Sequence, residues 1–101
     1  MGKFIMIRRV NGQYQFNLLA GNGKIILTSG GYAYKKTCKK GIRSVKINAQ
    51  EDCQYQRKVA VDGKYFFCLQ SKNGRPIGVS EMYDSLQAMD KGIKAVKMNG
   101  Y

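Results

Sequence analysis

The sequence contains no histidine, and its only carboxylates are Glu51, Asp52, Asp62, Glu81, Asp84 and Asp90. Acid–base and nucleophilic catalysis depend on positioned groups of these kinds, so the shortage argues against a conventional enzyme. Asp62 belongs to a turn, Asp84 to a helix cap and Glu51-Asp52 to a solvated linker, which leaves Glu81, beside Ser80 and Tyr83, as the one carboxylate in a more interesting neighbourhood. The three cysteines, Cys38, Cys53 and Cys68, form no CxxC pair and have no histidine to complete a zinc site, so neither a metal nor a cofactor is expected. They are read as reduced thiols, with Cys38 at an apolar helix position in the core. No apolar run approaches the length of a bilayer span: Phe4 to Ile7 is broken by Arg8 and Arg9. After Met1-Gly2, Met6 stands where a myristoylation signal needs Ser or Thr. A soluble cytoplasmic protein with no membrane partner is the expectation. Gly30-Gly31 precedes a helix without the Lys-Ser/Thr of a P-loop, so it is at best a weak anion site.

What is present is a duplication. The 101 residues, 44% of them hydrophobic, suffice for a single packed domain spanning 1–101. Shifting the chain by 51 positions aligns Gly12 to Ala49 with Gly63 to Gly100 without a gap, and Phe4 to Val10 falls opposite Tyr55 to Val61. The repeats are 3–49 and 54–100. Each contains two hairpin signals, Asn11-Gly12 and Asn22-Gly23, then Asp62-Gly63 and Asn73-Gly74, which predict type I′ turns and three strands per copy. Tyr14, Phe16 and Leu18 alternate with polar residues, as Tyr65, Phe67 and Leu69 do, so each middle strand buries one face. Pro76 opens the third strand of the second copy, where a missing N–H is tolerable.

The period then becomes helical: Cys38, Ile42 and Val45, and Met89, Ile93 and Val96. Asp84 or Ser85 can cap the second helix, whereas Ala33-Tyr34 offers the first no good cap; Asn48 and Asn99-Gly100 are suitable stops. Gly41 and Gly92 lie inside the helices at a cost of about 1 kcal/mol each relative to alanine, which points to close approach of helix and sheet. A fifty-residue unit has too little interior to stand alone. The expected fold is therefore α+β: two tandem βββα repeats forming one antiparallel sheet about a pseudo-twofold axis, with two helices packed on one face and residues 50–54 as the connection.

The Asn-Gly pairs, Thr28-Ser29, Tyr32, Gly41-Ile42, Ser44-Val45-Lys46 and Asn48, repeated as Ser80, Tyr83, Gly92-Ile93, Val96-Lys97 and Asn99, resemble the YegP-like family of bacterial tandem repeats. The resemblance covers nearly the whole chain. It implies βββα-type units assembled into one sheet with C-terminal strands exchanged between units, and it implies no activity. This sequence departs from the usual pattern where Gly30-Gly31 replaces an acidic residue after the serine, and where the first helix lacks its serine cap.

Ser29, Tyr32, Ser80 and Tyr83 occupy equivalent places before the two helices. They either line two symmetry-related pockets between strand end and helix N-terminus, or pack and hydrogen-bond across the strand-to-helix corner. Charge differs far more between the copies. Residues 1–50 contain ten Lys or Arg and no acid, while 51–101 contain eight and six, so the halves carry +10 and +2 of the net +12. On the first helix Lys35, Lys39, Arg43 and Lys46, joined by Lys36 and Lys40, occupy the arc away from the apolar stripe. Like charges four apart on a helix repel, which an anion would relieve. Two readings follow. One is a polyanion-binding module, with nucleic-acid backbone, bound without sequence preference, as its leading partner; the other is a protein-interaction or structural module whose charge is incidental. Base stacking is poorly served, because Phe66 has only Lys64, Cys68 and Gln70 beside it. Because the duplication already supplies the pairing a single copy would need, a monomer is expected, with dimerisation left open through the sheet edges.

Overall fold

Four hairpins close on the four Asn-Gly and Asp-Gly pairs in a computed structural model that describes residues 2–101, although not through the expected type I′ turn. That turn needs positive φ at both central residues, and here only the glycines have it: Gly12, Gly23, Gly63 and Gly74, at 82–86°. In each hairpin the glycine amide bonds back three residues, as from Gly12 to the Arg9 carbonyl (2.9 Å), which is a type I turn closed by a left-handed glycine bulge. The preceding Asn or Asp instead accepts from the amide two residues on, as Asn22 Oδ1 does from Lys24 (3.0 Å).

The first copy comprises β1 (Lys3–Arg8), β2 (Tyr14–Leu19), β3 (Ile25–Ser29) and α1 (Lys35–Asn48). A short 3-10 turn, Asp52–Gln54, leads to β4 (Tyr55–Val59), β5 (Tyr65–Gln70), β6 (Pro76–Val79) and α2 (Leu86–Asn99). All six strands form one antiparallel sheet in the order β1-β2-β3-β6-β5-β4. The third strands meet at the centre through Thr28 with Val79 and Ser29 with Gly78, so the pseudo-twofold axis runs through a pair of equivalent positions, Thr28 and Val79. Each copy keeps its own three strands. Among the described residues the exchanged C-terminal strands that the family resemblance implies are not formed, and the elements that reach across to the other copy are the helices.

Each third strand carries a bulge. Leu18 pairs with Leu27 and Leu19 with Ile25, which leaves Ile26 extra, and both Ile26 and Leu27 are buried; Leu69, Gln70 and Ile77 repeat the arrangement. The bulge thereby turns two successive positions, Ile26 and Leu27, toward the helices in the first copy, and Ile77 with Gly78 in the second. Phe16, Leu18, Phe67 and Leu69 are fully buried beneath α1 and α2 in one continuous core that also takes in Cys38, Val45, Met89 and Val96. Each such aliphatic or aromatic side chain contributes about 1.5–3 kcal/mol on burial. At the axis the copies differ: a Cβ added to Gly78 would lie 2.9 Å from Leu27 Cγ, so the leucine of one copy occupies the space its equivalent would need.

The helix ends follow the capping residues. Ser85 Oγ accepts from the Ala88 amide (3.0 Å), while Tyr34 gives α1 no side-chain cap. Within the helices Gly41 and Gly92 are required less by the sheet itself than by the corner preceding each helix, since a Cβ there would strike the hydroxyl of Tyr32 or Tyr83. The connection is tied in by Gln54 Nε2, which donates to Asn48 Oδ1 (3.3 Å) and the Gln70 carbonyl (3.0 Å), and by the Tyr55 hydroxyl, which donates to the Ala49 carbonyl (2.7 Å).

Candidate functional site

The four residues of the strand-to-helix corners divide into two pairs with different work. After Ser29 the chain leaves the sheet and rejoins it at Tyr32, whose amide and carbonyl both pair with Tyr14 at 2.7 Å. Across that gap Ser29 Oγ accepts from the Phe16 amide (2.8 Å) and donates to the Gly30 carbonyl (2.8 Å). Ser80 does the same for Phe67 and Glu81 (3.0 and 2.8 Å). Both serines are buried, with their hydroxyls committed to backbone groups that would otherwise be left unpaired. Of the two readings of Ser29 and Ser80, these bonds match hydrogen bonding across the strand-to-helix corner, and neither serine lines the grooves at Tyr32 and Tyr83.

Tyr32 and Tyr83 stack on Phe16 and Phe67, with centroids 6.3 Å apart in both cases. Burial raises both phenol pKa values, reinforced at Tyr32 by Cys38 and at Tyr83 by Glu81. Each ring forms one wall of a groove, of about 340 Å³ at Tyr32 and about 310 Å³ at Tyr83. These grooves do not lie between a strand end and its own helix N-terminus. Each is bounded by the helix of one copy and the second hairpin of the other.

The basic residues of α1 are all exposed. Lys35, Lys36, Lys39, Lys40 and Arg43 form an open band along the helix, whereas Lys46 lies at its margin with Nζ 5.6 Å from the centre of the Phe4 ring, a cation–π contact that Lys97 repeats over Tyr55 at 5.8 Å. Among the described residues, none of these six cations has a carboxylate within 4.0 Å. Acids of the second half engage its cations: Asp52 with Lys97 (3.0 Å) and Arg57 (3.8 Å), Asp90 with Arg57 (3.3 Å), and Asp84 with Lys64 (3.7 Å). The hydrogen bond and charge of Lys97, with help from Arg57, hold the Asp52 carboxyl below its usual range.

Helix α1 is consequently poorly supported by its own sequence. It has no side-chain cap and no acid in its first turn, and Lys35 and Lys36 sit at the positive end of the helix dipole. Lys35, Lys39 and Arg43 repeat at spacing four, as do Lys36 and Lys40, each pair unfavourable by a few tenths of a kcal/mol. The stable contacts of the helix come from the face that buries Cys38, Gly41, Val45 and Asn48. Cys38 is fully buried in the core, and that burial pushes its thiol pKa up.

Among the described residues, no three His, Cys, Asp or Glu side chains cluster closely enough to hold a metal ion, and no helix is long and apolar enough to cross a membrane. The sequence matches a domain of unknown function (DUF1508) twice, over residues 10–55 and 60–101. It is 48% identical over 99 residues to a UPF0339 protein of Bordetella pertussis, covering 98% of this chain and 89% of that one. It is 41% identical over 99 residues to the UPF0339 protein YegP of Escherichia coli K12, covering 98% and 90%. The solution NMR structure of YegP from E. coli, a protein of unknown function, superposes with a TM-score of 0.93 at 41% identity, over 98% of this chain and 85% of that one. That of a UPF0339 protein from Shewanella oneidensis gives 0.92 at 41% identity, over 98% and 84%.

Proposed function

Since the chain belongs to the DUF1508 family, which carries no assigned activity, we propose from its own surface that it is a non-enzymatic binding module whose α1 face engages a polyanion. Nucleic-acid backbone, bound without sequence preference, is the polyanion this surface fits best. The observation that supports the reading is the contrast between equivalent helices. Both copies fold alike, so the fold does not require the band of cations on α1, which opposes formation of the helix that bears it. Phosphates spaced along a strand would relieve that repulsion and fill the missing anionic position near the helix start. Nothing in the band is arranged to read base edges, so affinity is expected to be indifferent to sequence.

Fluorescence titration with single- and double-stranded oligonucleotides tests this. Binding is expected at about 50 mM salt and should weaken several-hundredfold by about 200 mM, as roughly five phosphate contacts require. An absence of binding at low salt, or binding indifferent to salt, removes the reading.

A second reading, a protein-interaction module, draws on the open face of the sheet. The register places Ile5, Asn17, Thr28, Val79, Cys68 and Gln56 in one row across all six strands on the side away from the helices. Ile7, Ile25 and Val79 are 39%, 47% and 38% exposed on that side. Light scattering at two protein concentrations is expected to return a monomer. A dimer that grows with concentration would move the weight to this face and to the edge strands β1 and β4.

A further inference from the structure

The two grooves walled by Tyr32 and Tyr83 are copies of one site, and their differences all point the same way. The groove at Tyr83 is made by α2 and the first copy's second hairpin; it presents Lys24 and Lys91, with Ala20, Ala88 and Ala95 between them. It also carries its own anion. Glu81 Oε2 lies 3.3 Å from Lys24 Nζ, so the charge of that groove is largely satisfied from within. The groove at Tyr32 is made by α1 and the second copy's second hairpin. There Lys24 becomes Arg75, Lys91 becomes Lys40, and the three alanines become Ser71, Thr37 and Ser44. The position of Glu81 is taken by Gly30, and among the described residues no carboxylate lies within 4.0 Å of Lys40 or Arg75.

We infer that the groove between α1 and the β5–β6 hairpin is a binding site for a single phosphate group, taken up by Arg75 and Lys40 with a hydroxyl donor from Ser44. A guanidinium presents two parallel N–H donors to an oxyanion, and an ammonium opposite supplies a second charge, the usual combination for a tetrahedral anion. Of the three hydroxyls that replace the alanines, Thr37 donates to the Tyr34 carbonyl (2.8 Å) and Ser71 to Asn73 Oδ1, which leaves Ser44 as the donor the sister groove lacks. In that sister groove the Glu81 carboxylate shows what the geometry accepts: an anion against the hairpin cation. The groove at Tyr32 keeps the cation, exchanges it for one with more donors, and leaves the anion's place free. The inference shares Lys40 with the polyanion reading but none of the other α1 cations, and it concerns one phosphate in a discrete groove rather than a strand along the exposed helix face.

Titration of the full ¹⁵N-labelled chain with inorganic phosphate, at constant ionic strength, provides the test. The amides of Thr37, Gly41, Ser44 and Ser71 are expected to shift saturably, while those of Ala88, Gly92, Ala95 and Ala20 respond roughly tenfold more weakly or not at all. Equal shifts in both grooves, or shifts that never saturate, overturn the inference. Gly30→Glu copies the internal anion of the sister groove. An added Cβ at Gly30 meets nothing within 4 Å, so the variant is expected to fold and to weaken phosphate binding roughly tenfold or more. Gly30→Gln, of the same size without the charge, is expected to retain it. If both variants bind like the parent, Arg75 and Lys40 are not the site. A thymidine dinucleotide with a 5′-phosphate, compared with the same dinucleotide without it, distinguishes the source. Shifts from the phosphorylated form alone identify a phosphomonoester, equal shifts from both identify a backbone phosphodiester, and none from either overturns the inference.

Discussion

Replacing Lys35, Lys39 and Arg43 together by glutamate is expected to weaken oligonucleotide binding by about a hundredfold or more at low salt and to flatten its salt dependence. The three side chains form one i, i+4, i+8 line on the exposed band of α1, so their reversal removes three phosphate contacts and sets three repelling charges among those left. Loss of binding through unfolding would be a different result, and it is not expected. Glutamates at the start of α1 complement its dipole, and those replacing Lys39 and Arg43 would stand three residues from Lys36, Lys40 and Lys46. The variant should therefore melt no lower than the parent. A matched control reverses Lys58, Lys91 and Lys94, which brings the net charge from +12 to the same +6. Lys97 is left alone because it holds Asp52 at 3.0 Å and covers the Tyr55 ring. If the control lost as much affinity as the α1 variant, total charge and not the α1 face would be responsible.

The largest effects on stability are expected at the axis. Leu27 is 1% exposed, and truncation to alanine should cost about 2–5 kcal/mol, a large part of the roughly 5–15 kcal/mol that holds a domain of this size together. Gly78→Leu should cost about 1–3 kcal/mol for the opposite reason, since its Cβ alone would already crowd Leu27 Cγ at 2.9 Å and Cδ2 at 3.1 Å. If the two positions share a single space, Leu27→Gly with Gly78→Leu puts one leucine back into it from the other side. Denaturant unfolding of the parent, the exchanged pair and its two single variants forms a double-mutant cycle, in which the exchanged pair is expected to recover at least half of the summed losses. Additive losses would show that the leucine packs only against its own copy.

The fold was legible in the sequence because the duplication exposes its own rules. Strand faces could be read from Tyr14, Phe16 and Leu18 and checked against Tyr65, Phe67 and Leu69, and the change to helical spacing was marked twice. The roles of the turn and corner residues are less legible. An Asn-Gly pair is compatible with both a type I′ turn and a type I turn with a glycine bulge, and the choice lies in the φ of the asparagine, which its identity does not determine. Ser29 and Ser80 resembled site residues because they recur in register before the helices. Their purpose is to satisfy the Phe16 and Phe67 amides where the ladder breaks, a contact between residues 13 apart. The band of cations on α1 was visible from periodicity alone. The groove was not, because it joins Thr37, Lys40 and Ser44 to Ser71 and Arg75, and only the laying of each helix against the other copy's hairpin brings those segments together. One signal was nevertheless there to be read: at Gly30/Glu81, Ser71/Ala20, Thr37/Ala88 and Ser44/Ala95 the copies differ in polarity.

The space shared by Leu27 and Gly78 also gives the duplication a direction in time. Two separate but identical repeats pairing about the same axis must place the same residue on both sides of it, so every change there is made twice. Joined in one chain, the sides can change independently, and a leucine facing a glycine becomes available. From that point the halves no longer suit themselves: two first copies would bring two leucines into room for one, and two second copies would face each other across a void. The junction has become a ratchet, in which divergence at a single buried pair binds each repeat to its neighbour and closes the route back to a symmetric pair.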